Sequence, residues 1–160
     1  MKTISIGIQN LCSPCSCACR YCLLQSAKSA DGVEYFRGKR LAERFILWAK
    51  EEHVTPLPFY YISYCAEYTQ LADNILFNRV NGFAGADFLQ CNGIKIRSLA
   101  ETNQFIEEIK SVGVTRIDTT FYGNREYHDS FAGRQGDYDF MIQLAATIHS
   151  KSIDYYSASR

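Results

Sequence analysis

The sequence predicts an α/β protein built from parallel strands and crossover helices, and three observations lead to that class. Segments rich in Ile, Val and aromatic residues alternate with segments in which apolar residues recur at helical spacing. After the first unit, successive strands begin roughly 30 residues apart, which leaves room for one crossover helix between neighbours. Strands joined in this way run parallel, so a doubly wound sheet and a (β/α) barrel both satisfy the pattern.

The elements follow one another as β-α-β-α-β-α-β-α-β. The first strand has Ile at every second position, the second is a run of aromatic and β-branched residues, and Gly113 stands where a helix C-cap glycine belongs. The predicted strands are 3–9, 59–64, 86–90, 114–121 and the start of a fifth at 153–156. The predicted helices run from Gly38 to about His53 and over 71–80, 99–112 and 137–150.

Composition places the whole chain, residues 1–160, in one globular domain. Hydrophobic residues make up 47% and charged residues 21%, and 17 basic residues balance 17 acidic ones. No basic surface for nucleic acid is visible, no apolar run approaches the roughly 20 residues of a membrane span, and the N-terminus lacks the apolar core of a signal peptide. We therefore predict a cytoplasmic protein with no nucleic-acid or membrane partner.

Cysteine is the residue type that suggests chemistry. Five of the seven cysteines lie between Cys12 and Cys22. A secreted disulfide scaffold spreads its cysteines, whereas clustering in a reducing compartment is typical of metal or redox sites. The loop over residues 10–27, directly after the first strand, is therefore the candidate metal site. In a parallel α/β pattern this loop lies at the carboxyl edge of the sheet, where such folds place their chemistry.

Two ligand sets can be drawn from this loop. Cys12, Cys15, Cys19 and Cys22 form two C-x2-C pairs, a set that structural zinc uses, usually with a longer span between the pairs. Cys15, Cys19 and Cys22 alone are spaced C-x3-C-x2-C. Three thiolates would leave one iron of a 4Fe–4S cube without a protein ligand, and an open position is what a catalytic metal needs.

The C-x3-C-x2-C spacing after a first strand, with Tyr21 before the final cysteine, resembles the signature of the radical SAM superfamily. Residues 65–69, Cys-Ala-Glu-Tyr-Thr, are similar to that family's Gly-Gly-Glu-Pro-Thr after strand two, with both glycines and the proline replaced. Residues 91–93, Cys-Asn-Gly, stand where many members have Thr-Asn-Gly.

A last match follows the fourth strand. Residues 120–123, Thr-Phe-Tyr-Gly, precede His128-Asp129 and the segment 133–136, Gly-Arg-Gln-Gly, and together they are similar to a Ser-Leu-Asp-Gly-type segment followed by His-Asp and an Arg-Gly run. The resemblance therefore covers nearly the whole chain, in the family's order.

Membership in this family would imply a partial parallel (β/α) barrel, of which the chain supplies about four βα units and the start of a fifth strand. It would imply a 4Fe–4S cluster on Cys15, Cys19 and Cys22, with S-adenosylmethionine chelating the fourth iron. In that family, reduction of the cluster cleaves S-adenosylmethionine to methionine and a 5′-deoxyadenosyl radical, which abstracts hydrogen from a substrate, and the resemblance implies the same reaction here. The implied partners are a reductant such as flavodoxin or ferredoxin and a small-molecule or peptide substrate.

The resemblance also assigns contacts to S-adenosylmethionine. Ala66 is small enough for close backbone approach, and Glu67 would accept from the ammonium group. Thr120 would hydrogen-bond the ribose or the methionine part, and Arg134 would pair with the carboxylate through two parallel hydrogen bonds.

The other cysteines and His128 are given structural interpretations. Cys65 and Cys91 are expected to be small buried residues at strand ends. Cys12 and Cys17 are open to three roles: passive neighbours of the ligands, which we favour, rescue ligands during cluster assembly, or part of a second site. His128 is expected to be structural.

The chain stops as its fifth predicted strand begins, so the predicted sheet is incomplete. We expect a C-terminal truncation, a split protein or an interrupted reading frame. Two other functions therefore stay open: a catalytically incomplete iron–sulfur or zinc-binding module, and a half-barrel subunit completed by another chain.

Overall fold

The strands pair in parallel, as the alternating pattern predicted. The computed structural model describes residues 3–5, 8–10, 15–20, 22, 35–57, 60–62, 66–67, 69–82 and 87–159. The strands are β1 (Thr3–Ser5), β2 (Ile8–Asn10), β3 (Thr55–Leu57), β4 (Tyr60–Ile62), β5 (Phe88–Gln90), β6 (Arg116–Phe121) and β7 (Asp154–Ser159). The helices are α1 (Tyr35–Glu51), α2 (Leu71–Val80), α3 (Leu99–Ser111), α4 (Arg125–Ala132) and α5 (Asp137–Ser150).

The described strands form two pairs and one larger sheet. β1 pairs with β3, β2 pairs with β4, and β5, β6 and β7 form a three-stranded sheet in that order. All of these pairings are parallel. Among the described residues none of these sheets closes into a barrel. The structure establishes a mixed α/β fold with parallel strands.

Helix α3 shows how local sequence sets the ends of an element. The Ser98 side chain accepts a hydrogen bond from the Glu101 backbone N–H, and Glu101 Oε2 accepts one from the Ser98 N–H at 2.8 Å. This reciprocal cap satisfies two of the donors that a helix start leaves open. The helix ends before Gly113, which has a φ of +94°, a left-handed conformation that glycine adopts without strain. The predicted C-cap glycine is therefore confirmed.

The core lies between helices α3 and α5 and one face of the β5–β6–β7 sheet. Ile106 of α3, Ile117 of β6 and Leu144 of α5 are each 0% exposed. Because side chains alternate along a strand, the flanking Arg116 and Asp118 lie on the opposite face, where their side chains pair at 2.9 Å. The sheet therefore has one apolar face under helices and an opposite face that combines charged and aromatic side chains, where Arg116 lies over the Phe88 and Tyr156 rings.

Helix α4 was not predicted. Its eight residues bury only two side chains, those of His128 and Ala132, so they lack the apolar periodicity that marks a helix. Its start is instead set by Asn124, whose side chain accepts from the Tyr127 N–H at 3.0 Å.

Two predicted boundaries also shift. Helix α1 begins at Tyr35, before Gly38, and the second strand segment begins at Thr55, ahead of the predicted residue 59. No helix in the described part of the chain has the length and apolar character to cross a bilayer.

Replacing Leu144 with alanine should lower the free energy of unfolding by about 2–5 kcal/mol, because a fully buried leucine leaves a cavity. Chemical denaturation in the presence of reductant measures the change. The matched control is Ile142→Ala on the same helix, where the side chain is 48% exposed and the expected change is within about 0.5 kcal/mol. Equal losses in the two variants would contradict the assigned core.

Candidate functional site

The described part of the cysteine loop, residues 15–20 and 22, docks through its backbone on the loop after β5 and on the last turn of α4. The Ser16 N–H donates to the Gly93 carbonyl at 2.7 Å, and the Ala18 N–H donates to the Ala132 carbonyl at 2.7 Å. Gly93 follows the carboxyl end of β5, and Ala132 is the last residue of α4. The structure therefore brings together the segments after β2, β5 and β6 that the sequence placed at one edge of the sheet.

Gly133 allows the cysteine loop to approach α4 this closely. A Cβ atom at this position would lie 2.8 Å from the Ala18 carbonyl oxygen and 2.9 Å from the Ala18 Cβ. The residue also has a φ of +60°, which a larger side chain adopts only with strain. Glycine is therefore required here for two independent reasons.

Burial separates the predicted ligands from Cys17. Cys15, Cys19 and Cys22 are half-buried, whereas Cys17 is 6% exposed. The Cys17 Sγ lies 3.8 Å from Asp137 Oδ2. Hydrogen bonding to the Cys15 and Cys19 thiols, together with burial and the nearby carboxylate, raises the pKa of the Cys17 thiol. A raised pKa disfavours the thiolate, which is the form of cysteine that ligates metals. Cys12 lies outside the described residues.

Asp137 is the centre of a buried polar network. Its carboxylate is 2% exposed and accepts from His128 Nε2 at 3.1 Å and from the Arg134 guanidinium. His128 Nδ1 accepts from the Tyr122 N–H at 3.1 Å, which places the ring proton on Nε2, facing Asp137. Arg134 also donates to the Ile94 carbonyl at 2.6 Å. His128 is therefore buried, with one ring nitrogen on Asp137 and the other on the Tyr122 backbone.

Asp129 supports the turn that leads into α5. Its carboxylate accepts from the Gly136 N–H at 2.7 Å and from the Tyr138 N–H at 2.8 Å. Desolvation raises the pKa of the Asp129 carboxyl, but these two hydrogen bonds, together with the nearby His128 and Arg125, outweigh it and the pKa is lowered overall. The His128-Asp129 pair thus fixes both the buried network and the start of α5.

Ala66 and Glu67 line an open cleft of about 470 Å³ between α2, α3 and the loops after β4 and β5. Both carboxylate oxygens of Glu67 lie 2.9 Å from the Arg97 guanidinium, and Oε2 also accepts from the Lys95 N–H at 2.8 Å. Arg97 stacks on the Phe105 ring at 4.7 Å. The predicted acceptor for an ammonium group is therefore already paired with a guanidinium.

Thr120 and Arg134 do not line that cleft. The Asn92 side chain bridges to the Thr120 backbone, accepting from its N–H at 2.7 Å and donating to its carbonyl at 2.9 Å. Arg134 is held by Asp137, and its buried Nε has no acceptor within the described part of the chain. The four predicted contacts to S-adenosylmethionine thus fall into two groups, Ala66 with Glu67 in the cleft and Thr120 and Arg134 outside it.

The donor type of the loop suits an iron–sulfur cluster or zinc. Both take cysteine thiolates, and the structure offers three half-buried thiols within residues 15–22. Across the described residues, no three His, Cys, Asp or Glu side chains already have a metal-binding arrangement. Cys15, Cys19 and Cys22 would therefore have to converge around a bound metal.

Two side chains of the candidate site could not be found from the sequence. In the sequence, Asp137 marks only the start of a predicted helix, and no pattern points to Arg97. The carboxylate of Asp137 follows Arg134 by three residues, a spacing that brings side chains together in helical turns. No sequence signal marks Arg97 as the partner of Glu67, because 30 residues separate them.

The comparisons with known proteins identify no family for this chain. Neither a scan against protein-family models nor a search of the curated proteins found a match for this chain. The function is therefore inferred from the site and from the motifs in the sequence.

Gly133→Ala should loosen the cysteine loop, because the added Cβ meets the Ala18 backbone. Deuterium uptake over residues 15–20, followed by mass spectrometry, should rise relative to the unaltered protein. Gly123→Ala is the matched control: its φ is also positive, at +85°, but the nearest atom to an added Cβ is 3.5 Å away. Unchanged uptake in Gly133→Ala would rule out the close packing described above.

Cys91 should resist alkylation in the folded protein at neutral pH. Burial raises the pKa of the Cys91 thiol to about 12, and only the thiolate reacts. Because the pKa is raised, the reactive form appears only as the pH climbs toward that value. Mass spectrometry after iodoacetamide treatment should find Cys22 labelled well before Cys91. Labelling of both at the same rate would contradict the buried position of Cys91.

Proposed function

We propose that this protein is a radical SAM enzyme, or the N-terminal part of one, that holds a 4Fe–4S cluster on Cys15, Cys19 and Cys22. Its parallel strands belong, in this proposal, to a partial (β/α) barrel. The substrate is a small molecule or a peptide, and an external reductant such as flavodoxin or ferredoxin supplies the electron.

One observation carries the proposal: three half-buried thiols with C-x3-C-x2-C spacing lie in a loop at the carboxyl edge of a parallel fold, while Cys17 is set apart by burial. The loop docks against the residues after β5 and against α4, so its backbone is fixed independently of any metal. Three thiolates complete three irons of a 4Fe–4S cube and leave the fourth for an exchangeable ligand.

The cluster would supply the electron that cleaves S-adenosylmethionine. The protein's own residues would bind and orient both groups. Ala66, which is 3% exposed, and the Glu67 carboxylate would form one wall of the cofactor site at the cleft. A cofactor ammonium could reach Glu67 by sharing the carboxylate with Arg97, since each oxygen can accept more than one hydrogen bond.

Arg134 would act on the other side of the loop. Two of its nitrogens are engaged, by the Ile94 carbonyl and by Asp137, and Nε is buried and unpaired within the described residues. An unpaired buried donor is costly, so a carboxylate acceptor at Nε would be stabilising. Thr120 offers its hydroxyl from the end of β6.

A second candidate is a metal-binding module without a working cofactor site. The observation in its favour is the Glu67–Arg97 pair, in which both carboxylate oxygens already face the guanidinium at 2.9 Å. Arg134 is likewise committed to Asp137. In this alternative the loop holds an iron–sulfur cluster or zinc, and S-adenosylmethionine does not bind.

The test is anaerobic reconstitution with iron and sulfide, followed by reduction and EPR spectroscopy with and without S-adenosylmethionine. We expect a reduced 4Fe–4S signal whose shape changes when S-adenosylmethionine is added, because the cofactor would ligate the open iron. Metal analysis of the same samples measures the iron and zinc bound per chain.

Cysteine variants assign the ligands. The Cys15→Ala, Cys19→Ala, Cys22→Ala triple variant should lose the cluster, whereas the Cys12→Ala, Cys17→Ala double variant should still assemble it. A cluster whose signal ignores S-adenosylmethionine would favour the metal-binding module. Tight zinc and no cluster would overturn the proposal.

A further inference from the structure

We propose that Asp137 is a positioning residue that anchors the Cys17 thiol and thereby sets the register of the cysteine loop. This inference rests on the proposed function, because the loop it positions is the one that would bind the cluster. Binding of a metal by Cys15, Cys19 and Cys22 gives no role to Cys17 or to the buried polar network. This inference gives a role to both.

A buried carboxylate needs partners, and the described part of the chain gives Asp137 three. His128 Nε2 donates at 3.1 Å, the Arg134 guanidinium donates to the other oxygen, and the Cys17 thiol donates at 3.8 Å. His128 and Arg134 come from the same stretch of chain as Asp137 and hold the carboxylate in place. Cys17 lies 120 residues away in sequence, so its contact joins the cysteine loop to the first turn of α5.

The backbone on both sides of Cys17 is fixed as well. The N–H of Ser16 is bound by Gly93 and the N–H of Ala18 by Ala132, each at 2.7 Å. Residues 16–18 are therefore fixed at three points, two through the backbone and one through the Cys17 side chain. A shift of the loop by one residue would break all three contacts together.

The contact with Asp137 distinguishes Cys17 from the other cysteines of the loop. Five thiols within the segment 12–22 could combine into several metal-binding sets, as the open zinc alternative shows. Cys17 is buried against Asp137, whereas Cys15 and Cys19 on either side of it are half-buried. The network would thus favour one ligand set without contacting the metal.

The first arm of the test uses the full chain without added iron, so that it does not depend on a cluster. Cys17→Ala should raise deuterium exchange over residues 15–20 by about tenfold, the effect of losing one hydrogen bond to a charged acceptor. Cys17→Ser should restore part of the protection, because the hydroxyl still donates. Cys22→Ala is the matched control and should leave the exchange unchanged.

The second arm measures the cluster after anaerobic reconstitution with excess iron. Cys17→Ala should assemble the cluster but lose its iron to a chelator about ten times faster than the unaltered protein, since the ligands are less well positioned. Its EPR lines should broaden, and Cys17→Ser should reverse both effects in part. Asp137→Asn should also speed iron loss, and adding Cys17→Ala to it should change the rate little further, because the Cys17–Asp137 contact is already weakened.

The outcomes separate this inference from the proposed function. Equal exchange in the unaltered protein and in Cys17→Ala overturns the anchor, even where a cluster forms. Equal iron loss in the two proteins overturns its positioning role. A protected loop that becomes exposed in Cys17→Ala supports the anchor, and if the unaltered protein then binds no cluster, it is the proposed function that fails. If Asp137→Asn does not fold, Cys17→Ala and Cys17→Ser still test the anchor.

Discussion

Burial of the Asp137 carboxylate is the constraint on which the candidate site depends. A charge removed from water is costly unless charged and hydrogen-bonding partners surround it. Arg134 supplies the opposite charge and His128 a ring N–H. The positions of α4, of the turn at Gly133 and of the start of α5 all follow from bringing these groups to one point. The cysteine loop joins the same point through Cys17, so the metal-binding loop and the polar network are parts of one arrangement.

The core explains why that arrangement is held rigidly. Helix α5 begins at Asp137 and packs Met141, Leu144 and Ile148 against the sheet, each fully buried. The carboxylate is therefore attached to an element whose position is set by apolar packing, which tolerates little displacement. Because the paired strands run parallel, the loops that follow β5 and β6 leave the sheet at the same edge. Packing thus places Gly93 and α4 where the cysteine loop can bind to both.

The two halves of the proposed cofactor site differ in their electrostatics. At the cleft, Glu67 is neutralised by Arg97 and lies close to Lys95, so a ligand ammonium must share the carboxylate. Beside the cysteine loop, Arg134 is neutralised by Asp137, and its Nε has no acceptor among the residues that the structure describes. The arrangement thus favours a carboxylate near Arg134 more readily than an ammonium near Glu67. This asymmetry is the physical reason that a cluster without S-adenosylmethionine is a real competitor.

The sequence by itself determined the fold class, the ends of α3 and α5 and the candidate ligand loop, because strand and helix periodicity, capping residues and cysteine spacing are local properties of the chain. It did not reveal α4, whose eight residues carry no apolar stripe, nor the Glu67–Arg97 pair. Only the tertiary structure decided which of the described cysteines of the loop is set apart, because Cys17 is buried against a carboxylate 120 residues away. Contacts at such separation depend on how packed elements meet, and no local pattern encodes them.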